Sequence, residues 1–479
     1  MHKTESEISK AILVGLQLPG VSEAELQSSL DELSRLVTTL GFKPVGRLTQ
    51  KRDSEKNATV LGEGKLQDLA KWTGGSGEIS NSFEKKKSKA ALKFEKKTED
   101  IFPDENLTEG SENNLDDHNS DEVKEAPKEI ANIVIFDCDL SPSQLRNVES
   151  AVGCPVLDRT GVIIEIFSRH AKTKASRLQV EIARLSYVAP RLRETGGGGD
   201  RGGGGVGAKG SGETSLELDR RRIRDRIKEL KTELGSIDNE HLTRRARRDA
   251  EITVALVGYT NAGKSSLMRA MTGSEVLVAD KLFATLDTTI RPIYPESRPK
   301  ILFSDTVGFI KKLPHDLVAS FKSTLDEALN ASLLLYVVDS SDATFRAQLE
   351  VTQKVLSEVG ITDTPSLLVL NKIDRLTPEA LVTLRSQYPD AFFLSTRDPD
   401  DLQRLREYLI ARFEEGMIEQ EILVSYALKG AVGEIRAKLR VMSETHNEKG
   451  FVFKVRGNEK DLSQIKTKFR IEILSSTAL

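Results

Sequence analysis

Eight consecutive residues combine two glycines, a lysine and a serine in the order that cradles nucleotide phosphates. They fit the pattern G-x-x-x-x-G-K-[ST] and are Gly258, Tyr259, Thr260, Asn261, Ala262, Gly263, Lys264 and Ser265. In such a loop the backbone N–H groups hold the phosphates, the lysine reaches the β- and γ-phosphates, and the serine hydroxyl binds Mg²⁺. An apolar run before the loop predicts a strand, and residues 265–271 predict a helix. This context makes a chance glycine turn a poor alternative.

Two further motifs follow predicted strands and complete a guanine-nucleotide site. The first is Asp305, Thr306, Val307 and Gly308, in which the aspartate suits the magnesium shell and the glycine N–H suits the γ-phosphate. The second is Asn371, Lys372, Ile373 and Asp374. A carboxylate at its last position can accept both N–H groups of guanine, a donor pattern that adenine does not offer. The turn expected to support the base is Ser395, Thr396 and Arg397. These residues predict GTP as the substrate and Mg²⁺ as the cofactor.

A switch loop is expected between the lysine and the first aspartate. Its central residues are Phe283, Ala284, Thr285, Leu286 and Asp287. One threonine should bind Mg²⁺ through its hydroxyl and sense the γ-phosphate through its N–H. We select Thr285, with Thr288 and Thr289 as alternatives. Lys264, Thr285 and Gly308 are then the residues expected to act on the reacting phosphate.

The residue after Gly308 is informative, because many GTPases carry a glutamine there that orients the attacking water. Here it is Phe309, whose side chain can neither donate nor accept a hydrogen bond. Either another group or a partner positions the water, or the enzyme is slow on its own. A phenylalanine that simply packs is compatible with both.

Short apolar runs alternate with helical segments from Ile252 onward, which predicts an α/β fold with a mostly parallel sheet. The predicted strands are 252–257, 301–304, 333–338, 367–370 and 392–394. Residues 251–415 therefore form a predicted P-loop GTPase domain. A small α/β domain is predicted over 418–479, with strands near 422–426 and 451–455.

Residues 1–168 predict an N-terminal α/β domain with an insertion. A strand is expected at 11–17, and Ser22 begins a helix with Glu25 as its capping-box partner. Residues 84–97 contain seven Lys and two Glu, whereas 99–129 contain twelve acidic residues and two Lys. Such a segment cannot bury enough apolar surface to offset its chain entropy, so a disordered insertion is predicted at about 73–128.

A basic helical hairpin is predicted over 169–248. One helix is expected at 169–188 and a second around a heptad seam that begins at Leu216, with a glycine-rich loop, 196–212, between them. The hairpin holds twenty Lys or Arg and eleven Asp or Glu. That excess suits contact with an RNA phosphate backbone, and the alternative is a solvated coiled-coil face.

Bulk composition indicates a soluble protein, with 70 Lys plus Arg against 73 Asp plus Glu in 479 residues. Two cysteines far from any histidine cluster disfavour a zinc site or a disulfide framework. No apolar run approaches the ~20 residues of a membrane span, and the start of the chain lacks a signal-peptide core. We expect a cytoplasmic monomer without stable membrane insertion.

With these residues in view, the sequence resembles the HflX family of bacterial GTPases. The stretches that carry the resemblance are 140–144, 158–161, 178–181, 210–214 leading into 219–221, 257–265 and 283–287. The resemblance implies a GTPase that binds the large ribosomal subunit, reaches ribosomal RNA near the peptidyl-transferase centre and splits stalled ribosomes. Some members also hydrolyse ATP.

The sequence departs from that family at Ser211, Ser266 and Thr288, where Pro, Thr and Pro are usual, and in its longer glycine loop. Two other functions fit the motifs. One is a regulatory switch that acts on a protein effector, and the other is an RNA remodeller driven by ATP or GTP.

Overall fold

The computed structural model describes residues 9–79, 129–192, 215–246, 252–273, 282–283, 286, 288–312, 328–415, 417–469 and 471–478. The chain divides into two units, Met1–Val162 and Ile163–Leu479. Most of the predicted insertion (80–128), the glycine loop 196–212, and Ala284, Thr285 and Asp287 lie outside the described residues. Within the described residues, no helix is both long and apolar enough to cross a membrane.

The first unit is a parallel sheet with helices. Its elements are β1 (Lys10–Gln17), α1 (Glu23–Thr39), β2 (Lys43–Lys51), α2 (Glu63–Thr73), β3 (Ile133–Phe136), α3 (Pro142–Val152) and β4 (Val156–Asp158). The strand order is β2-β1-β3-β4, and every pair is parallel. The predicted capping box at Ser22 and Glu25 is confirmed. At the start of the predicted insertion, Gly77 N–H donates to the Ala151 carbonyl at 2.9 Å.

A buried ion network occupies the core of this unit. Arg159 is 1% exposed and pairs with Glu32 and, at 2.6 Å, with Asp137. The Ser29 hydroxyl donates to the second oxygen of Asp137 at 2.6 Å. Burial alone would lower the pKa of Arg159, but the two carboxylates raise it above its ordinary value. Arg159 is therefore paired and keeps its charge inside the core.

Three helices precede the predicted nucleotide-binding domain: α4 (Arg159–His170), α5 (Lys174–Val188) and α6 (Ser215–Ala246). The expectation of one helix over 169–188 was wrong, because α4 ends at His170 and the Thr173 hydroxyl caps a new helix through Ser176 N–H. Helices α5 and α6 pair as an antiparallel hairpin, as predicted. Lys174 contacts Glu233 at 2.6 Å, and Glu181 contacts Arg226 at 3.1 Å. The partner on α6 moves back by seven residues as the position on α5 advances by seven, so the two helices run antiparallel.

The sheet of the nucleotide-binding domain is mostly parallel, as predicted. Its order is β10-β9-β8-β5-β7-β6, and only the edge strand β6 is antiparallel to its neighbour β7. The strands are β5 (Ile252–Val257), β6 (Thr289–Pro292), β7 (Ile301–Asp305), β8 (Leu333–Asp339), β9 (Ser366–Asn371) and β10 (Phe392–Phe393). The helices are α7 (Lys264–Thr272), α8 (Phe345–Val359), α9 (Pro378–Gln387) and α10 (Pro399–Glu414).

The C-terminal part is an antiparallel sheet with two helices. Its elements are β11 (Ile418–Ser425), α11 (Lys429–Lys438), β12 (Arg440–Asn447), β13 (Gly450–Gly457), α12 (Glu459–Phe469) and β14 (Glu472–Ala478). The order is β12-β13-β11-β14. Arg456 of β13 contacts Glu419 at 3.0 Å and Glu414, in the last turn of α10, at 2.9 Å. Glu414 also pairs with Arg440, so α10 is tied to two strands of this sheet.

Candidate guanine-nucleotide site

The loop between β5 and α7 requires glycine at both glycine positions of its motif. Gly258 has φ +150°, and a methyl group added there would lie 2.2 Å from the Val337 carbonyl oxygen. Gly263 has φ +97°, and a methyl group there would lie 2.2 Å from Nδ2 of Asn371. Because these two residues have no side chain, the loop backbone can lie in close contact with the carboxyl ends of β8 and β9. The loop leads directly into α7, whose N-terminus favours a bound anion.

The lysine and serine of the loop are held by short polar contacts. Lys264 Nζ donates to the carbonyls of Gly258 at 3.0 Å and Tyr259 at 2.9 Å. Burial lowers the pKa of Lys264 to about 8, although nearby Asp305 acts to raise it. The Ser265 hydroxyl donates to Oδ2 of Asp305 at 2.7 Å. The loop and the end of β7 therefore meet through a hydroxyl and a carboxylate.

This oxygen pair fits a magnesium ion. Mg²⁺ prefers hard oxygen ligands, keeps several waters, and is usually bound by one or two protein groups plus substrate phosphates. Asp305 is fully buried and accepts from the Ser265 hydroxyl at 2.7 Å, which places two oxygens of that kind side by side. Within the described part of the chain, no group of three or more His, Cys, Asp or Glu is placed to hold a metal ion, so the remaining ligands would be of other kinds, such as water and phosphate oxygens.

The segment after Asp305 folds back onto the phosphate loop. A methyl group added at Gly308 would lie 2.9 Å from Cγ2 of Thr260 and 3.0 Å from Nζ of Lys264. Phe309 N–H donates to the Gly258 carbonyl at 3.2 Å, and the Phe309 carbonyl accepts from Thr260 N–H at 2.8 Å. The phenylalanine side chain is 2% exposed, so it packs in the interior. The sequence carries no signal for this pairing, because it joins residues that are about fifty positions apart.

The motif expected to read the base is tied to the same loop. Asn371 is buried, donates from Nδ2 to the Ala262 carbonyl at 2.9 Å, and accepts from Thr396 N–H at 3.3 Å. Lys372 Nζ donates to the Asn261 carbonyl at 2.7 Å and pairs with Asp339 at the same distance. The expected phosphate and base motifs therefore lie beside each other.

Asp374 lies just beyond Asn371 in a short 3₁₀ turn, Ile373–Arg375. Its Oδ1 accepts from the Ser395 hydroxyl at 2.7 Å, and Arg397 lies 3.6 Å from its Oδ2. Arg397 is 77% exposed and can swing away, so an edge of the carboxylate is accessible. The sequence reasoning missed Asp401, whose carboxylate accepts from Ser395 N–H at 2.7 Å and fixes this turn from α10.

The described parts of the switch region are anchored by apolar side chains. Phe283 and Leu286 are each 2% exposed, and the Phe283 ring meets the Phe167 ring edge-on with centroids 4.6 Å apart. Thr289 begins β6 opposite Asp305. Thr285, the threonine selected from the sequence, lies outside the described residues together with Ala284 and Asp287.

Three family models match the chain in order. The N-terminal model of GTP-binding GTPases covers 27–78 and 106–168, and the middle-region model of the same GTPases covers 170–248. The model described as a 50S ribosome-binding GTPase covers 253–372, which includes the phosphate loop and ends inside the base motif. A "GTPase HflX" of Gluconacetobacter diazotrophicus is 53% identical over 464 residues, 97% of this chain and 98% of that protein.

The chain belongs to the HflX family of GTPases. A second HflX relative, from Caldanaerobacter subterraneus, is 35% identical over 95% of this chain and 92% of its own length. Among solved structures, a GTP-binding protein from Sulfolobus solfataricus in complex with GDP matches 85% of this chain and 99% of its own, with 22% identity and a TM-score of 0.40. The resemblance identified from the sequence is confirmed, and HflX membership makes the protein a GTPase with a ribosome-binding GTPase domain.

Proposed function

We propose that this GTPase binds the large ribosomal subunit in its GTP-bound form and splits or rescues stalled ribosomes, hydrolysing GTP to GDP and phosphate. The observation that carries the ribosomal part is the match of 253–372 to a family described as 50S ribosome-binding GTPases. In this proposal the protein acts as a cytoplasmic monomer.

The nucleotide part of the proposal assigns a role to each motif. The backbone of 258–263 cradles the phosphates, Lys264 binds the β- and γ-phosphates, and Gly308 N–H contacts the γ-phosphate. Asp374 accepts from the guanine N–H groups, because its Oδ1 is held by Ser395 and its other edge faces an exposed arginine that can move. The short distance from Asn371 to the loop supports one continuous site.

Ser265 and Asp305 would hold the magnesium ion, with Thr285 joining them from the switch loop. When bound, the ion neutralises charge that develops on the phosphates during transfer. The chain's own task is to keep those oxygens converged, which the 2.7 Å contact between Ser265 and Asp305 supports.

The RNA-facing part of the proposal is the hairpin of α5 and α6. Arg220, Arg221 and Arg222 lie on α6 with exposed side chains, next to the glycine loop in the sequence. Exposed arginines bind phosphate oxygens without reading sequence, which suits ribosomal RNA. We propose that the loop 196–212, with Arg201 and Lys209, enters a narrow RNA cavity where larger side chains would clash.

Ribosome co-sedimentation tests this function. We expect the full chain to pellet with the large subunit in a non-hydrolysable GTP analogue and much less in GDP. The subunit should also accelerate single-turnover hydrolysis, because Phe309 contributes no hydrogen bond to the attacking water in the free enzyme. Equal pelleting in the two nucleotides, or equal rates with and without the subunit, would contradict the proposal.

A charge series tests the hairpin itself. Replacing Arg220, Arg221 and Arg222 by Ala should lower affinity and reduce the salt slope by roughly two to three, since each lost phosphate contact removes about 0.7–0.9. The matched control replaces three dispersed, exposed lysines by Ala: Lys56, Lys354 and Lys449. If both triple variants bind like the parent, a protein effector becomes the better function. ATP that competes equally with GTP would favour the RNA remodeller.

A further inference from the structure

The hydroxyl of Thr260 differs from the other hydroxyls of the phosphate loop in its hydrogen bonding. Thr260 is 7% exposed, and its Oγ1 is a buried atom without a hydrogen-bond partner among the described residues. Nearly all buried polar groups in proteins are hydrogen-bonded, and an exception points to a missing ligand atom or water. The hydroxyl therefore has an unused donor and an unused acceptor inside the site.

The neighbouring hydroxyls of the site are all engaged with protein. Ser265 donates to Asp305 at 2.7 Å, and Thr306 donates to the Leu256 carbonyl at 2.7 Å. The Tyr259 hydroxyl accepts from Lys311 N–H at 2.7 Å. Among the described hydroxyls of these two motifs, Thr260 is thus the one left to meet a ligand.

Thr260 lies beside the two groups that the proposed site assigns to the γ-phosphate. A methyl group added at Gly308 would lie 2.9 Å from Cγ2 of Thr260 and 3.0 Å from Nζ of Lys264, so the Thr260 side chain and the Lys264 ammonium both lie against Gly308. A lysine of this loop reaches the γ-phosphate in GTPases. The Thr260 N–H also donates to the carbonyl of Phe309 at 2.8 Å, which places this threonine directly beside position 309.

Position 309 is where many GTPases keep the side chain that orients the attacking water. The phenylalanine here points into the interior and offers no polar atom. We propose that the Thr260 hydroxyl orients the attacking water. Thr260 lies opposite position 309 and would replace the polar side chain that Phe309 lacks. The inference rests on the proposed nucleotide site and adds a specific role to one residue of its loop.

The step balances without any further reactant. Thr260 Oγ1 accepts a hydrogen bond from the water and donates its own to a γ-phosphate oxygen, keeping its proton. The water oxygen bonds to the γ-phosphorus, and the bond from that phosphorus to the β–γ bridging oxygen breaks. The bridging oxygen leaves on GDP, and both protons of the water end on inorganic phosphate.

Two substitutions in the full chain test the role. Thr260→Val keeps the shape but removes the hydroxyl, and Thr260→Ser keeps the hydroxyl. With magnesium present, we expect Thr260→Val to lower the single-turnover rate of GTP hydrolysis by about tenfold or more, the scale of one lost polar group at a reaction centre. GDP affinity should stay within about twofold, because Thr260 lies beside Gly308, which the proposed site assigns to the γ-phosphate that GDP lacks. Thr260→Ser should restore most of the rate.

A rate for Thr260→Val equal to that of the parent overturns the proposal, as does a Thr260→Ser variant that is as slow as Thr260→Val. Equal losses of GTP and GDP affinity with an unchanged rate at saturation would show a structural role and also overturn it. If the valine variant does not fold, Thr260→Ala replaces it against the same serine control. Failure of the proposed nucleotide site would look different from failure of the Thr260 role. In that case the parent chain would bind neither GDP nor GTP, or its binding would not depend on Lys264.

Discussion

The amide of Asn371 joins the two halves of the nucleotide site, so we expect Asn371→Ala to damage both at once. The amide donates to the Ala262 carbonyl at 2.9 Å and accepts from Thr396 N–H at 3.3 Å, and the residue is fully buried. Alanine leaves that carbonyl and that N–H without their partner. An unsatisfied buried group costs about 1–3 kcal/mol, and the longer bond counts at the low end.

The sum is about 2–4 kcal/mol, which divides between folding and binding. The Ala262 carbonyl belongs to the loop whose N–H groups would face the phosphates, so a loosened loop loses preorganisation. We expect GDP affinity to fall by about ten- to a hundredfold, or about 1.4–2.8 kcal/mol. The remainder should appear as a lower free energy of unfolding of the nucleotide-binding domain.

Titration calorimetry of GDP and urea unfolding of the same preparations measure the two parts. Asn447→Ala is the matched control, because Asn447 also makes two local hydrogen bonds, to Lys449 and Gly450 N–H at 2.9 Å each, in the C-terminal hairpin. That control should lose some stability and keep its GDP affinity. An Asn371→Ala variant that binds GDP within about twofold of the parent would refute the reasoning.

Four further outcomes are expected. Asp374→Asn removes a charged acceptor, so GTP affinity should fall by about tenfold or more relative to xanthosine triphosphate, and an unchanged ratio would contradict the assignment. Lys264→Ala should abolish GTP turnover and leave the chain folded with at most a small drop in melting temperature. The Gly258 and Tyr259 carbonyls lose their donor, but burial lowers the pKa of this lysine to about 8, so the fold disfavours its charged form. Normal turnover with magnesium would contradict the site. Deleting 80–127 should leave the melting temperature and GDP affinity nearly unchanged, because the segment is highly charged and charge-segregated, and a large drop in melting temperature would show a structural role. Hydrogen bonds from Lys454 and Arg456 lower the pKa of Glu419, so its stabilising effect is present above its unfolded pKa and is lost as pH falls through the lower folded value. Glu419→Gln should therefore make the free energy of unfolding fall less steeply as the pH is lowered. The same acid-side pH dependence in the variant and the parent would contradict this prediction.

Short motifs between buried strands were the part of this fold that the sequence predicted best. A phosphate loop needs its glycines, lysine and serine in adjacent positions, so the pattern is local and visible, and β5, β7, β8 and β9 formed where apolar runs stood. The strands β2, β4, β6, β12 and β14 were missed. All five are sheet edges, and none shows a long continuous apolar run, since β4 has only three residues and β2, β6 and β12 have half-exposed residues.

Tertiary pairings were beyond the reach of sequence reasoning. The backbone bonds of Phe309 to the phosphate loop and the carboxylate of Asp401 behind Ser395 depend on how distant segments meet. The break between α4 and α5 was missed although residues 168–177 contain no large apolar residue, and the decisive local signal was the Thr173 cap. The choice of Thr285 remains a prediction.

Helix α10 connects the base-binding turn at its first turn to the C-terminal sheet at its last turn. Asp401, in its first turn, holds Ser395 and through it Asp374, while Glu414, in its last turn, holds Arg440 and Arg456 of the C-terminal sheet. Sixteen residues make a strut about 24 Å long. A chain cut after residue 415 would therefore remove both arginine partners of Glu414, Arg440 and Arg456, and would release the last turn of the helix whose first turn supports the base-binding turn. Dissecting this protein into separate pieces at that point would alter nucleotide binding as well as remove a domain.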